Sequence, residues 1–472
     1  MYKLKTLITG VAIFWTCLLT ASNIHLSQPI LYMENDDCYA VFNLSWENSW
    51  KHVRNHDAVW IFFKALPYDA PYRHVKVAQA GHAVVANFFN DSKGMDIEVP
   101  ADRTGLFISL ASPYRGNIEI SLKVALDRKD FEGLRLRGTT FKAYGIEMVE
   151  IPQGGFTLGD PSPEAPKYGS FYKPDKNGEF AKLVQISSED QVLEVGKTGD
   201  LFYQAPKGYE GDQQGTIPAT FPKGVAPFYI MKYEITEGQY VQFLNSLDTS
   251  QVKDRLNFEA KYYDELGGTI SPKGGYFDTP FPGKPCAFLS WEDAMAYADW
   301  TGLRPMTEFE FTKACRGASE PVAKEFPWGA DEKSKVQRLP NRDGELVMLN
   351  QWTEADLYNK RKVHFGASYY WVMDLAGSLW ERMVSIGHPN GRSYTGTHGD
   401  GILSDDGIAT NSDWPTGEED SGGVGFRGGG FYGYERDYHE YNPFSPIAYR
   451  PYGGWHGTLR SNAYGTRLVR SK

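Results

Sequence analysis

The chain has 472 residues, 41% hydrophobic and 23% charged, which is enough for two or three packed domains and argues against long disorder. Its net charge of −10 argues against nucleic acid or an anionic membrane as the main partner. An aromatic content of 14% with 49 glycines fits a loop-rich β or α+β protein better than a helical bundle.

At the N-terminus, Lys3 and Lys5 precede an apolar run over 7–21 that ends in the small residues Thr20, Ala21 and Ser22. This is the pattern of a secretion signal over residues 1–22, and after its cleavage no membrane span is expected. The remaining cysteines are Cys38, Cys286 and Cys315, an odd number that favours buried thiols, with a Cys286–Cys315 pair left open.

Over 23–127 short alternating runs (YAVFNLSW, AVWIFFK, GLFISL, NIEISLKVAL) are punctuated by turn residues, which predicts a small β-sandwich. Residues 128–143 form a charged connector, and a second domain spans 144–472. It opens with GIEMVEIPQGGFTLG, where Gly155 and Gly159 mark tight turns. Residues 160–222 lack sustained periodicity and are expected to form a long loop insertion. A strand then runs into a helix capped by Thr236 and Gln239, with Tyr240, Phe243 and Leu244 on its buried face.

The stretch PCAFLSWEDAMAYADWTGLRPMTEFEFTKACRG, residues 285–317, predicts two short amphipathic helices. Ser290 with Asp293 and Thr307 with Glu310 form capping boxes, and Gly302 and Gly317 supply the stops. FPWG follows at 326–329, YWVMDLAGSLWE at 370–381, GFRGGG at 425–430 and YGTR at 464–467. Together these elements closely resemble, in the right order over roughly 145–470, the formylglycine-generating enzyme (sulfatase-modifying factor) family. The resemblance implies an α+β fold, a loop-rich variant of the C-type-lectin-like domain, following the β-sandwich. The WENSWK segment and the DAVWIFFK after it resemble a module that precedes this domain in some secreted bacterial, Bacteroidota-like proteins. Arg304, Trp380, Arg427 and Arg467 recur in the family elements and are expected to be structural.

In the family's aerobic enzymes, the resemblance implies, a late cysteine pair holds copper(I), a soft ion that prefers thiolates. Here Gly433 and Tyr438 occupy those two positions, and no cysteine follows Cys315. Copper is therefore not expected, nor is formylglycine-generating activity. A related iron-dependent branch uses H-x-x-x-H-x-E; His52 and His56 have the first spacing, but Ala58 replaces the glutamate and the flanks alternate like strands. Structural calcium is the more plausible ion, with Asp400, Asp405 and Asp406 in an acidic glycine-rich stretch and Glu381 in the W-E element as hard oxygen ligands.

Residues 427–472 carry seven tyrosines, and six arginines with Lys472 outnumber Glu435, Asp437 and Glu440. Tyrosine and arginine provide large amphipathic contact area. Tyr432, Tyr434, Tyr438, Trp455, Arg436 and Arg450 are the candidate ligand-binding residues. The expected function is a non-catalytic secreted or envelope scaffold in the periplasm or at the cell surface. It would bind a protein partner in an envelope assembly or an extracellular ligand, by analogy with gliding and secretion-machinery proteins of this fold. One alternative is an oxidoreductase with non-cysteine ligands drawn from His364, His388, His398, His439 and His456. The other is a carbohydrate-binding protein.

Overall fold

The computed structural model describes residues 24–472 apart from 35–36, 69, 90–93, 136, 256–267, 351, 353–355, 357–359, 418–421, 432–441 and 456–459. The expected signal over 1–22 lies outside the described residues. What is described is mostly sheet with few helices, as an α+β chain requires.

Two large sheets organise the chain. A five-stranded sheet joins His25–Leu26, Ile30–Glu34, Asp37–Lys51, Tyr114–Leu126 and Ala83–Asn87. An eight-stranded sheet runs from Arg304–Pro305 through Leu468–Ser471, Phe228–Met231, Thr139–Ile151, Asp57–Pro67 and Leu106–Leu110 to Met95–Glu98, with Arg73–Val75 also beside Asp57–Pro67. Strands from both halves of the sequence thus belong to one sheet.

The strand Asp57–Pro67 explains why. Val59, Ile61 and Phe63 point into a core shared with Phe42, Leu44, Trp46, Ile118 and Ile120. The intervening Ala58, Trp60 and Phe62 point into a second core with Tyr144, Tyr240, Phe243 and Trp300. With both faces buried, a strand has no polar side, so AVWIFF reads as an unbroken apolar run. The Trp60 Nε1–H donates to Thr301 O at 2.8 Å, tying this strand to the helix Trp291–Thr301.

Two expectations are corrected. The connector expected over 128–143 already contains the start of the strand Thr139–Ile151, which pairs with Asp57–Pro67 from Thr139 to Val149. Lys142 and the threonines at 139 and 140 hide its alternation, although Phe141, Tyr144, Ile146 and Met148 are buried. The insertion expected over 160–222 holds five short strands, and Phe171, Val184, Ile186, Leu201, Tyr203 and Phe221 join the second core. Strands of two or three residues are too short to show a period.

The capping boxes form as read. Ser290 Oγ accepts from Asp293 N at 3.1 Å and Thr307 Oγ1 from Glu310 N at 3.1 Å, each answered by the acidic side chain on the cap N–H. Gly302 and Gly317 end the two helices at φ 72° and 66°. The helices are not amphipathic in the expected sense. The second, Glu308–Arg316, is buried throughout, because its polar face meets counter-charges: Glu308 with Arg427 and Arg450, Glu310 with Arg304, Arg316 with Glu325. Among the described residues no helix is long and apolar enough to cross a membrane.

Candidate functional site

A narrow groove opens where five segments converge. Lys284, Pro285 and Ala287 form one wall, Pro340 and Leu346 of a small hairpin another, and Ser378, Leu379, Phe431 and Asn462 complete it. The strand-and-glycine elements read from the sequence position these pieces. The Trp380–Val384 strand pairs with Val424–Arg427, so the following glycines run beside residues 377–380. Gly428 takes φ 95° and accepts from Gly377 N at 3.1 Å, and Phe431 N donates to Ser378 O at 3.0 Å. A Cβ on Gly430 would lie 2.9 Å from Trp380 N, so only glycine fits there.

Backbone strain reaches the groove at Ser378, one of eight described non-glycine residues with positive φ. Phe288, Trp371, Asp374 and Ser378 all hold positive φ, at 61°, 69°, 56° and 60°. Left-handed conformations in large L-residues persist only where packing over-determines them, and they gather at functional sites.

Beneath the groove lies a buried acid pair. Leu379 N–H donates to Glu234 Oε1 at 3.0 Å, and the Ser378 hydroxyl donates to Glu234 Oε2. Burial, reinforced by the nearby Glu381 carboxylate, raises the Glu234 acid from its ordinary 4.5 up to about 8. Glu381 is held by Arg467, whose Nε and Nη2 each lie 2.7 Å from a carboxylate oxygen. Arg467 also donates to the carbonyls of Met231, Lys232 and Met373. Arg338 pairs with Asp374 at the edge of the same network. Sequence reading missed Glu234. In FYIMKYEI it alternates with Lys232, opposite Met231, Tyr233 and Ile235, a pattern that reads as solvent-facing, so no local signal marked its burial.

The sequence-derived candidates separate. Tyr432, Tyr434, Arg436 and Tyr438 lie outside the described residues, as do Gly433, His439 and His456. Arg450 is not on a ligand face: it is 0% exposed, its Nε sits 2.8 Å from Glu308 Oε2, and its guanidinium stacks on Phe171 and Tyr203. The correction has an electrostatic cause, since the buried Glu308 carboxylate in the helix's first turn needs Arg427 and Arg450 as partners. Trp455 is half-buried, edge-on to Tyr209 at 4.2 Å. Arg304, Trp380, Arg427 and Arg467 are buried, as expected for structural residues.

The proposed calcium ligands do not converge. Glu381 is committed to Arg467, Asp400 Oδ1 accepts from Ile402 N at 2.8 Å, and Asp405 and Asp406 stand exposed in a turn. Among the described residues no three His, Cys, Asp or Glu side chains come together as metal ligands. His388 caps a short helix through Asn390 N, and His398 Nε2 accepts from Ser471 N at 3.0 Å. His364 lies beside Trp352, apart from both in the fold. His56 faces Glu150 at 3.2 Å, across a hairpin turn from His52.

A copper(I) site asks for two accessible thiolates, and the donors do not fit. Cys38, Cys286 and Cys315 are free and buried, and burial pushes the Cys286 and Cys315 thiols well above their ordinary range.

Comparison with known proteins agrees with the geometry. The family model described as a sulfatase-modifying factor enzyme 1-like domain matches residues 185–472. The formylglycine-generating enzyme of Bos taurus is 26% identical over 194 residues, 36% of this chain and 51% of the relative. That of Thermomonospora curvata is 22% identical over 221 residues, 42% of this chain and 71% of the relative. The hercynine oxygenase of Mycobacterium tuberculosis is 27% identical over 121 residues, 23% of this chain and 28% of the relative. The chain thus spans about half the length of the Bos taurus enzyme. With the family model covering more than half of it, the chain belongs to the sulfatase-modifying factor enzyme 1-like (FGE-sulfatase) family.

Proposed function

We propose that this chain is a non-catalytic, secreted member of the family that works by binding, in the periplasm or at the cell surface. The observation that carries the reading is the donor set. By the resemblance read from the sequence, the two positions where the family's enzymes carry their copper thiolates hold Gly433 and Tyr438, and the three cysteines after residue 22 are Cys38, Cys286 and Cys315. Glycine offers no side-chain ligand, and tyrosine offers a hard phenolic oxygen to a soft ion.

The groove between Lys284, Leu346, Leu379 and Phe431 then serves as a docking surface. Its rim is continued in sequence by the tyrosine-rich residues Tyr432, Tyr434 and Tyr438 with Arg436, amphipathic groups suited to a protein partner or extracellular ligand. Affinity purification from the native host tests this. A partner retained by the wild type and lost when Tyr432, Tyr434 and Tyr438 are replaced by alanine supports the reading. Equal retention by both overturns the assignment of that face.

A further inference from the structure

A cavity of about 560 Å³ opens on the N-terminal sheet and shares no residue with the groove. It lies where the two longest strands of that sheet lose register. Asp37–Lys51 and Tyr114–Leu126 pair regularly from Cys38↔Leu126 to Trp46↔Ile118, then resume only at Ser49↔Gly116. Glu47 and Asn48 bulge opposite Asn117; Asn48 takes φ 54°, and its N–H donates to Asn117 Oδ1 at 3.2 Å. The bulge is pinned from the inside by Asp57, which accepts from Ser49 Oγ and Trp50 N at 3.0 Å each. Such bulges re-aim side chains at binding sites.

Trp46 and Ile118 turn into the core, so strand alternation sends Ser45, Glu47, Asn117 and Glu119 outward into the cavity. Phe89 and Tyr114, half-buried with ring centroids 5.5 Å apart, form its aromatic wall. The volume is that of a small-molecule site. Two carboxylates repel phosphate, sulfate and other anions, and the polar floor is unsuited to an acyl chain. A hydroxyl, an amide, the His25 imidazole and two carboxylates offer both donors and acceptors, while the rings offer an apolar face. That combination matches a sugar, whose ring carries hydroxyls at its edge and C–H groups on its face.

We propose that this cleft binds an uncharged saccharide. The test uses the full chain on an array of neutral hexasaccharides built from glucose, mannose, galactose and N-acetylglucosamine. A heparin hexasaccharide and spermine serve as charged probes, and titration calorimetry follows on whatever binds. The expected result is binding to at least one neutral hexasaccharide, weakened about tenfold by Asn117→Ala and by Glu119→Gln. Both positions are exposed, but Asn117 also accepts from the Asn48 N–H, so Glu119→Gln, which keeps the wild-type melting temperature, is the variant that separates binding from folding. Absence of neutral-glycan binding overturns the proposal. So does binding confined to heparin or spermine, or binding unchanged in both variants.

Discussion

Arg467 closes a two-pronged ion pair on Glu381, with both nitrogen–oxygen distances at 2.7 Å and both side chains fully buried. Removing either partner leaves a buried charge without its counter-ion. Arg467→Met and Glu381→Leu should each destabilise the fold by about 3–5 kcal/mol, whereas the double replacement costs less than their sum. Urea unfolding of the three variants checks this; additive losses would show that the pair is not coupled.

Glu234 gives the fold a pH dependence with a definite sign. Its folded-state value is raised from 4.5 to about 8, so between those limits the folded chain holds a proton that the unfolded chain has lost. The contribution is fully present below the unfolded value and is lost as pH rises through the folded one. Wild-type urea midpoints should therefore fall between about pH 5 and about pH 9 by more than those of Glu234→Gln, which has no proton to lose. Parallel pH profiles would contradict the assignment of a protonated acid beneath the groove.

Thr307 heads the helix that carries Glu308 and Glu310, and its hydroxyl accepts from Glu310 N while donating to Pro222 O at 3.0 Å. Thr307→Ala should cost about 1–2 kcal/mol and Thr307→Ser much less, read from denaturant midpoints at unchanged slope.

The shared eight-stranded sheet predicts that the C-terminal part does not fold alone. A fragment beginning at residue 128 lacks the strand that pairs with Thr139–Val149 and lacks Trp60 and Phe62 in the second core. Near-UV circular dichroism should show no fixed aromatic packing in the fragment, and the full chain should unfold in one transition. A fragment with the native spectrum would show that the N-terminal strands are dispensable.

The sequence made the local devices plain. Ser290, Thr307, Gly302 and Gly317 act on the turn beside them, so a single chain suffices to place them. Burial of the arginines at 304, 427 and 467 followed from the family elements. What stayed hidden depends on pairing between distant residues. Thr139–Ile151 finds its partner more than seventy residues away, and nothing local announces that its two faces serve two cores. Arg450 looked like a surface contact because its partner Glu308 lies 142 positions earlier. Glu381 looked like a calcium ligand because the claim of Arg467 on it is a tertiary fact.

On the proposed function, the chain keeps the family fold without its copper chemistry. Copper and iron analysis of the purified protein, joined to an oxygen-consumption assay with a cysteine-containing peptide, tests it most directly. Sub-stoichiometric copper and iron and no peptide-dependent oxygen uptake are expected. Stoichiometric copper or iron together with turnover of the peptide cysteine would contradict the proposed function.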